Sequence, residues 1–258
     1  MTKPKQDLET LFFEAAEKSN DQYLLSHLPR YKETVSLLRD INWSSAFEIG
    51  ATHFFQAFLA HARGPARIDA AIFDFPPGAG LTECLFSFAG KTQTSRSFRV
   101  DIESEFVPAA DETYDLVLML EVLEHLDVDP MAAMMEVNRV LQIGGNLVLS
   151  TPNICSTSNL YKIMKGYRPH FFMQYEKSRS PYRHNIEYDV HLLAELVSDA
   201  GFEIIRLFTK DVFRQPTASQ LSSLNRHGVS AENRGDDIFV LATKRRGVQN
   251  RWPSSLYV

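Results

Sequence analysis

Short apolar runs alternate along this chain with stretches whose apolar residues recur every three or four positions. Two helical stretches come first. Asp7–Lys18 carries Leu8, Leu11, Phe12 and Ala15 at helical spacing, and Tyr23–Leu38 continues as a second amphipathic helix. Strand-like runs follow at Ser44–Ile49, Arg67–Phe73, Ser97–Val100, Asp115–Leu120, Asn146–Ser150, Phe202–Phe208 and Asp237–Thr243. Helical patterns separate several of them, at Phe54–Ala62, Met131–Leu141 and Leu192–Ala200. Leu81–Ala89 fits neither period. Strands that alternate with helices imply right-handed crossovers and a mostly parallel, doubly wound α/β sheet. The last two strands lie close in the chain and suggest an antiparallel edge. The division expected is a helical cap over residues 1–40 and an α/β domain over 41–258, with an aromatic-rich insertion at 155–183.

The densest signal is Tyr114–Asn153. Asp115–Leu120 is a run of Leu and Val bounded by charge, as in a strand buried on both faces. The acidic turn Glu121-Val122-Leu123-Glu124-His125 follows, then a helix, the pair Gly144-Gly145 expected to stop it, a strand, and Ser150-Thr151-Pro152-Asn153. Open α/β sheets bind ligands beyond the carboxyl ends of their strands. The functional residues are therefore expected at Glu121–His125 and Ser150–Asn153.

These motifs, with Asn138-Arg139-Val140-Leu141 between them, resemble class I S-adenosylmethionine-dependent methyltransferases. The run Gly50–Phe55 further resembles a bacterial subgroup associated with polysaccharide-biosynthesis genes. So do Asp101-Ile102-Glu103, Pro108, Asp129-Pro130, Tyr182-Arg183-His184-Asn185 with Glu187-Tyr188, and Asp211-Val212. The likeness covers roughly Phe47–Val212. It implies a seven-stranded Rossmann-like methyltransferase sheet, S-adenosylmethionine as cofactor, and methylation of a small-molecule or glycan hydroxyl. It also implies cofactor contacts from Glu48 and Gly50 in the first turn, Asp74 after the second strand, Asp101 after the third, and Leu120 and Glu121 after the fourth. A carboxylate at the end of the second strand accepts both ribose hydroxyls.

Glu121, Glu124 and His125 are spaced to share one face of a helix start, and His184 follows the insertion that should cover them. Small-RNA 2′-O-methyltransferases and ubiquinone-pathway O-methyltransferases look similar here. That likeness implies a Mg²⁺ or Mn²⁺ held by Glu121, Glu124, His125 and His184. Without a metal, His125 or His184 serves as general base beside Glu121. The bland alternative is a charge-capped helix and a surface histidine. Thr52 and His53 stand where further glycines are common, which motivates a second reading, a catalytically inactive methyltransferase-fold scaffold. A nicotinamide-dependent oxidoreductase is disfavoured, since no Gly-x-Gly-x-x-Gly follows the first strand.

Bulk composition changes little. The chain has 258 residues, 44% of them hydrophobic and 23% charged, enough for one sizeable core. A net charge of −5 argues against a nucleic-acid partner, although Lys165, Arg168, Lys177, Arg179 and Arg183 form a local basic cluster. Cys84 and Cys155 are far apart and make no CxxC pair. The N-terminus lacks the apolar core of a secretory leader, and no run approaches the ~20 apolar residues of a membrane span. The expectation is a cytoplasmic protein. Cys155–Tyr182 is long and irregular, with Tyr161, Tyr167, His170, Phe171, Phe172, Tyr175 and Tyr182. Such a loop is expected to cover the site or to pack down on its own rings.

Overall fold

The computed structural model describes residues 8–19, 21–39, 41–63, 66–72, 81–88, 91–169 and 183–257. Helices α1 (Leu8–Ser19) and α2 (Gln22–Leu38) precede β1 (Ser45–Ile49), α3 (His53–Arg63) and β2 (Arg67–Ile72). Then come β3 (Leu81–Phe88), β4 (Lys91–Arg99), β5 (Tyr114–Leu120), a single 3-10 turn at Leu123–His125, α4 (Pro130–Val140) and β6 (Leu141–Pro152). The chain continues through α5 (Thr157–Met164), α6 (Val190–Asp199), β7 (Phe202–Lys210), α7 (Ala218–Arg226) and β8 (Asp237–Lys244). No helix among the described residues is long and apolar enough to cross a membrane.

The strands form one sheet in the order β3-β4-β2-β1-β5-β6-β8-β7. β1 pairs in parallel with β2 and β5, β2 with β4, and β5 with β6. β8 runs antiparallel to both β6 and β7, giving the expected antiparallel edge. Seven of these strands make the expected doubly wound, mostly parallel sheet with its antiparallel edge. β3, from the segment that fitted neither period, adds an eighth, antiparallel to β4 at the far edge.

Both faces of the central strands are buried, which is why they read as unbroken apolar runs. On β5, Leu116, Leu118 and Leu120 join a core with Phe12 of α1, Leu24, Leu28, Tyr31 and Val35 of α2, and Phe55 and Phe58 of α3. Val117 and Met119 face the other way, against Met131, Met134 and Val137 of α4 and Leu193 and Leu196 of α6. Thus α3, which links β1 to β2, and α4, which links β5 to β6, lie on opposite faces. The strand order reverses between β1 and β5, and a crevice at such a switch point is the usual ligand site.

Three local expectations are corrected. Gly144 and Gly145 do not stop α4, which ends at Val140 as β6 begins at once. Gly144, at φ 83°, lies in the register shift between the Tyr114–Leu141 and Leu116–Asn146 pairs. A bulge there uses the backbone freedom of glycine. Glu121 does not open a helix, because its φ of 56° is left-handed and only the short 3-10 turn follows. The stretch after β6 is not wholly irregular, because Ser156 caps α5 by accepting the Asn159 N–H. Tyr161 lies on α5 and Tyr167 is exposed. His170, Phe171, Phe172, Tyr175, Lys177, Arg179 and Tyr182 lie outside the described residues.

Candidate active site

The switch point is built from three turns. After β1 the chain reverses at Gly50, whose φ is 69° and whose N–H donates to Ala71 O at 3.0 Å. A Cβ on Gly50 would meet Val122 Cγ2 at 2.7 Å, so the turn is packed beneath the segment that follows β5. Thr52 N–H donates to the Glu48 carboxyl, and Thr52 Oγ1 lies 3.2 Å from the Tyr31 hydroxyl. After β5, Glu121 N–H donates to Ser150 O at 2.9 Å, and Ser150 Oγ donates to Glu121 Oε1 at 2.5 Å. At the carboxyl end of β6, Thr151 Oγ1 donates to Glu124 Oε2 at 2.9 Å.

Carboxyl groups are concentrated here to an unusual degree. Glu48, Glu124 and Asp237 are buried, with oxygens that meet no hydrogen-bond partner. Glu121 lies beside the last two. Burial pushes Glu48 up to about 8, against the partial opposition of Arg30 and the Thr52 N–H. Burial and then the Glu121 charge push both Glu124 and Asp237 well above the usual carboxylate range. Carboxyl groups this crowded and dry cannot all ionise unless positive charge arrives.

A second cluster sits alongside. The backbone of Asn185 and Ile186 docks on Glu124 O, at 2.7 and 3.4 Å, and Asn185 Nδ2 donates to His125 O at 2.7 Å. This docking sets the His184 ring edge-on to His125, with centroids 5.0 Å apart. Glu124, His125 and His184 each offer one ligand atom within 4.8 Å of the others. Glu121 is not in this group. His125 Nδ1 lies 3.2 Å from Arg183 O, and His184 Nδ1 lies 3.0 Å from Glu187 Oε1. Each ring is thus oriented through Nδ1, as outer partners orient metal-binding histidines. Burial lowers the affinity of His125 for a proton, with the neighbouring His184 adding to the effect.

The remaining expected positions divide. Leu120 is buried at the end of β5. Asp101 follows β4 by two residues and is engaged in its own turn, with Oδ1 accepting the Glu103 N–H at 3.1 Å. Asp74 lies outside the described residues. Two buried charges at the site went unforeseen. Arg30 lies on α2, and its one available signal was the stripe His27, Arg30 and Thr34 beside the apolar stripe of that helix. Asp237 opens an apolar run and reads as an ordinary strand boundary. Two surface cavities lie elsewhere. One of about 520 Å³, lined by Asp111, Glu112, Asn138, Arg139 and Lys244, sits at the amino ends of the parallel strands. The other, of about 410 Å³, lies beyond the end of β7 at Asp211, Gln215 and Arg234.

A family model described as a methyltransferase domain matches residues 42–207. No curated protein matches the chain. Among solved structures, it is similar to an S-adenosylmethionine-dependent methyltransferase of Archaeoglobus fulgidus, at 13% identity and a TM-score of 0.55, over 90% of this chain and 99% of that one. A possible histamine N-methyltransferase of Thermotoga maritima aligns at 18% identity and a TM-score of 0.53, over 90% and 98%. The 1,6-didemethyltoxoflavin-N1-methyltransferase of Burkholderia thailandensis, solved with its substrate and S-adenosylhomocysteine, aligns at 12% identity and a TM-score of 0.51, over 95% and 94%.

Proposed function

We propose that this chain, which belongs to the methyltransferase-domain family, moves a methyl group from S-adenosylmethionine to a hydroxyl of a small molecule or glycan. The observation that supports this is the excess of carboxyl groups at the switch point. Glu48, Glu121, Glu124 and Asp237 crowd a volume that holds one buried guanidinium. A ligand carrying both a sulfonium and an ammonium brings the positive charge such a site lacks. Glu48, Gly50, Leu120 and Glu121 would border the methionine end, with Asp101 and Asp74 toward the nucleoside. The likeness at Gly50–Phe55 and Tyr182–Tyr188 favours an acceptor from the polysaccharide-linked subgroup.

Methyl transfer needs in-line approach of the acceptor oxygen to the sulfonium methyl, so orientation supplies much of the rate. His125 or His184 would serve as the base. Burial keeps His125 neutral, and its Nδ1 contact leaves Nε2 to accept a proton from the acceptor hydroxyl. Glu124, His125 and His184 also fit a divalent ion. One carboxylate with two imidazoles suits Mn²⁺ better than the oxygen-seeking Mg²⁺. A bound ion would lower the pKa of the acceptor hydroxyl.

The test is calorimetry with S-adenosylmethionine and S-adenosylhomocysteine, followed by methyl transfer to a panel of hydroxyl acceptors. The expected result is binding of both ligands, and turnover that His125→Ala and His184→Ala impair. Chelation should abolish turnover, and Mn²⁺ should restore it, if the ion takes part. Binding of neither ligand would instead favour the inactive scaffold, a reading motivated by the close packing of the Gly50 turn under Val122.

A further inference from the structure

Arg30 is 2% exposed, one of the largest fully buried side chains in the protein, and it projects from α2 toward the switch point. Its Nε and Nη1 find no hydrogen-bond partner. The groups that face it come from four elements. Tyr31 of its own helix lies under the guanidinium, 4.4 Å from ring centroid to Cζ, and Tyr23 lies two turns back. Both tyrosine hydroxyls draw on the guanidinium by hydrogen bonding, which leaves Nε and Nη1 as its idle donors. Glu48 of β1, Glu121 after β5 and Asp237 of β8 surround it electrostatically. None of these carboxyl groups forms an ion pair with it among the described residues. The acids set a field around the guanidinium without consuming its donors.

A permanently charged group buried with idle N–H donors is a costly arrangement in a folded protein. It is relieved when an anionic oxygen arrives, because charge-assisted hydrogen bonds are the strong ones. The same volume offers both halves of a zwitterion receptor: donors on Arg30, and acceptors on Glu48 and Asp237, whose oxygens are likewise unpartnered. An amino acid headgroup carries the matching pair of charges.

We propose that Arg30 anchors the α-carboxylate of the cofactor's methionine end, while the acids around it receive the α-ammonium. This rests on the methyltransferase reading above and adds a contact from a helix outside the matched family region, since α2 ends before residue 42. It makes α2 part of the cofactor site. The alternative role, Arg30 as a built-in cation that plugs the site, predicts the opposite effect on affinity.

Calorimetry on the full chain separates these outcomes. The probes are S-adenosylhomocysteine, its decarboxylated analogue, and 5′-methylthioadenosine, which keeps the nucleoside and thioether but has no amino acid. Wild-type protein should bind the decarboxylated analogue roughly 10- to 100-fold more weakly than S-adenosylhomocysteine, the loss expected for a charge-assisted hydrogen bond. Arg30→Met should cut S-adenosylhomocysteine affinity by a similar factor and leave 5′-methylthioadenosine within about twofold. Retained binding of that nucleoside reports that the variant is folded. If Arg30→Met does not fold, Arg30→Lys takes its place, with a smaller loss confined to the same ligand. Equal wild-type affinity for the two homocysteine-type ligands would overturn the anchor, as would an equal loss for all ligands in a folded variant. Tighter S-adenosylhomocysteine binding by Arg30→Met would overturn it in favour of the plug. Failure of the wild type to bind any of the three would overturn the methyltransferase reading itself.

Discussion

Glu48 is the residue through which pH should act on this fold. Its side chain is 2% exposed, and one carboxyl oxygen has no partner. In the unfolded chain it titrates near its ordinary value of 4.5, whereas burial holds its proton to about 8 in the fold. Between those values unfolding releases a proton that the native state keeps. The contribution of Glu48 is therefore fully favourable below the lower value and is lost as pH rises through the upper one. Each pH unit in the window weakens the fold by about 1.4 kcal/mol, with a ceiling of about 5 kcal/mol across it. Glu48→Gln keeps the acceptor for the Thr52 N–H and removes the titration. Urea unfolding of both proteins between about pH 5 and about pH 8 is the assay. The wild type should lose stability with pH more steeply than Glu48→Gln, by about one proton's worth of slope. Parallel stability curves for the two proteins would refute the reasoning, since they would mean that Glu48 titrates alike folded and unfolded.

Other consequences are as direct. Gly50→Ala places a methyl group 2.7 Å from Val122 Cγ2 at a left-handed φ, and should lower stability by about 2–4 kcal/mol in urea titration. Adding Val122→Ala should recover the steric part and leave the backbone part. Asp129 accepts the Ala132 N–H at the start of α4 and binds Arg251 and the Tyr257 hydroxyl. Asp129→Ala should cost about 1–3 kcal/mol and release the segment carrying Arg251 and Tyr257 to faster hydrogen exchange. Mn²⁺ at a hundred times its dissociation constant should raise the thermal midpoint of the wild type by the equivalent of about 2.7 kcal/mol, and Glu124→Gln should blunt that rise at the same concentration.

The parts of the fold that could be read from the chain are those whose side chains face one core. Leu116–Leu120 and Ile238–Ala242 are buried on both faces and announce themselves as apolar runs. β4 does not, because Lys91-Thr92-Gln93-Thr94-Ser95-Arg96 is polar, and its apolar end at Phe98 gave only the last few residues. Helix α7 carries a complete capping box, Thr217 with Gln220, but buries only Ser223 and Leu224, so its period is faint. At the site, the meeting of Glu124, His125 and His184 depends on Asn185 gripping the backbone of the 3-10 turn. Nothing local encodes that contact. The left-handed Glu121 breaks the helical geometry assumed for its neighbours, and no spacing rule anticipates a non-glycine residue there. Arg30 and Asp237 are far apart in sequence and meet only through tertiary folding.

The position of β8 carries a consequence for synthesis on the ribosome. All eight of its residues are buried, between β6 and β7, although it is made after both of them. Until residues 237–244 clear the exit tunnel, β6, already paired with β5 on one side, presents its other edge to solvent or to chaperones. A nascent chain in that interval has a sticky, template-like flank of the kind that seeds misassociation. Pauses in translation just upstream of Asp237 should therefore raise the yield of aggregated product more than pauses placed after Lys244.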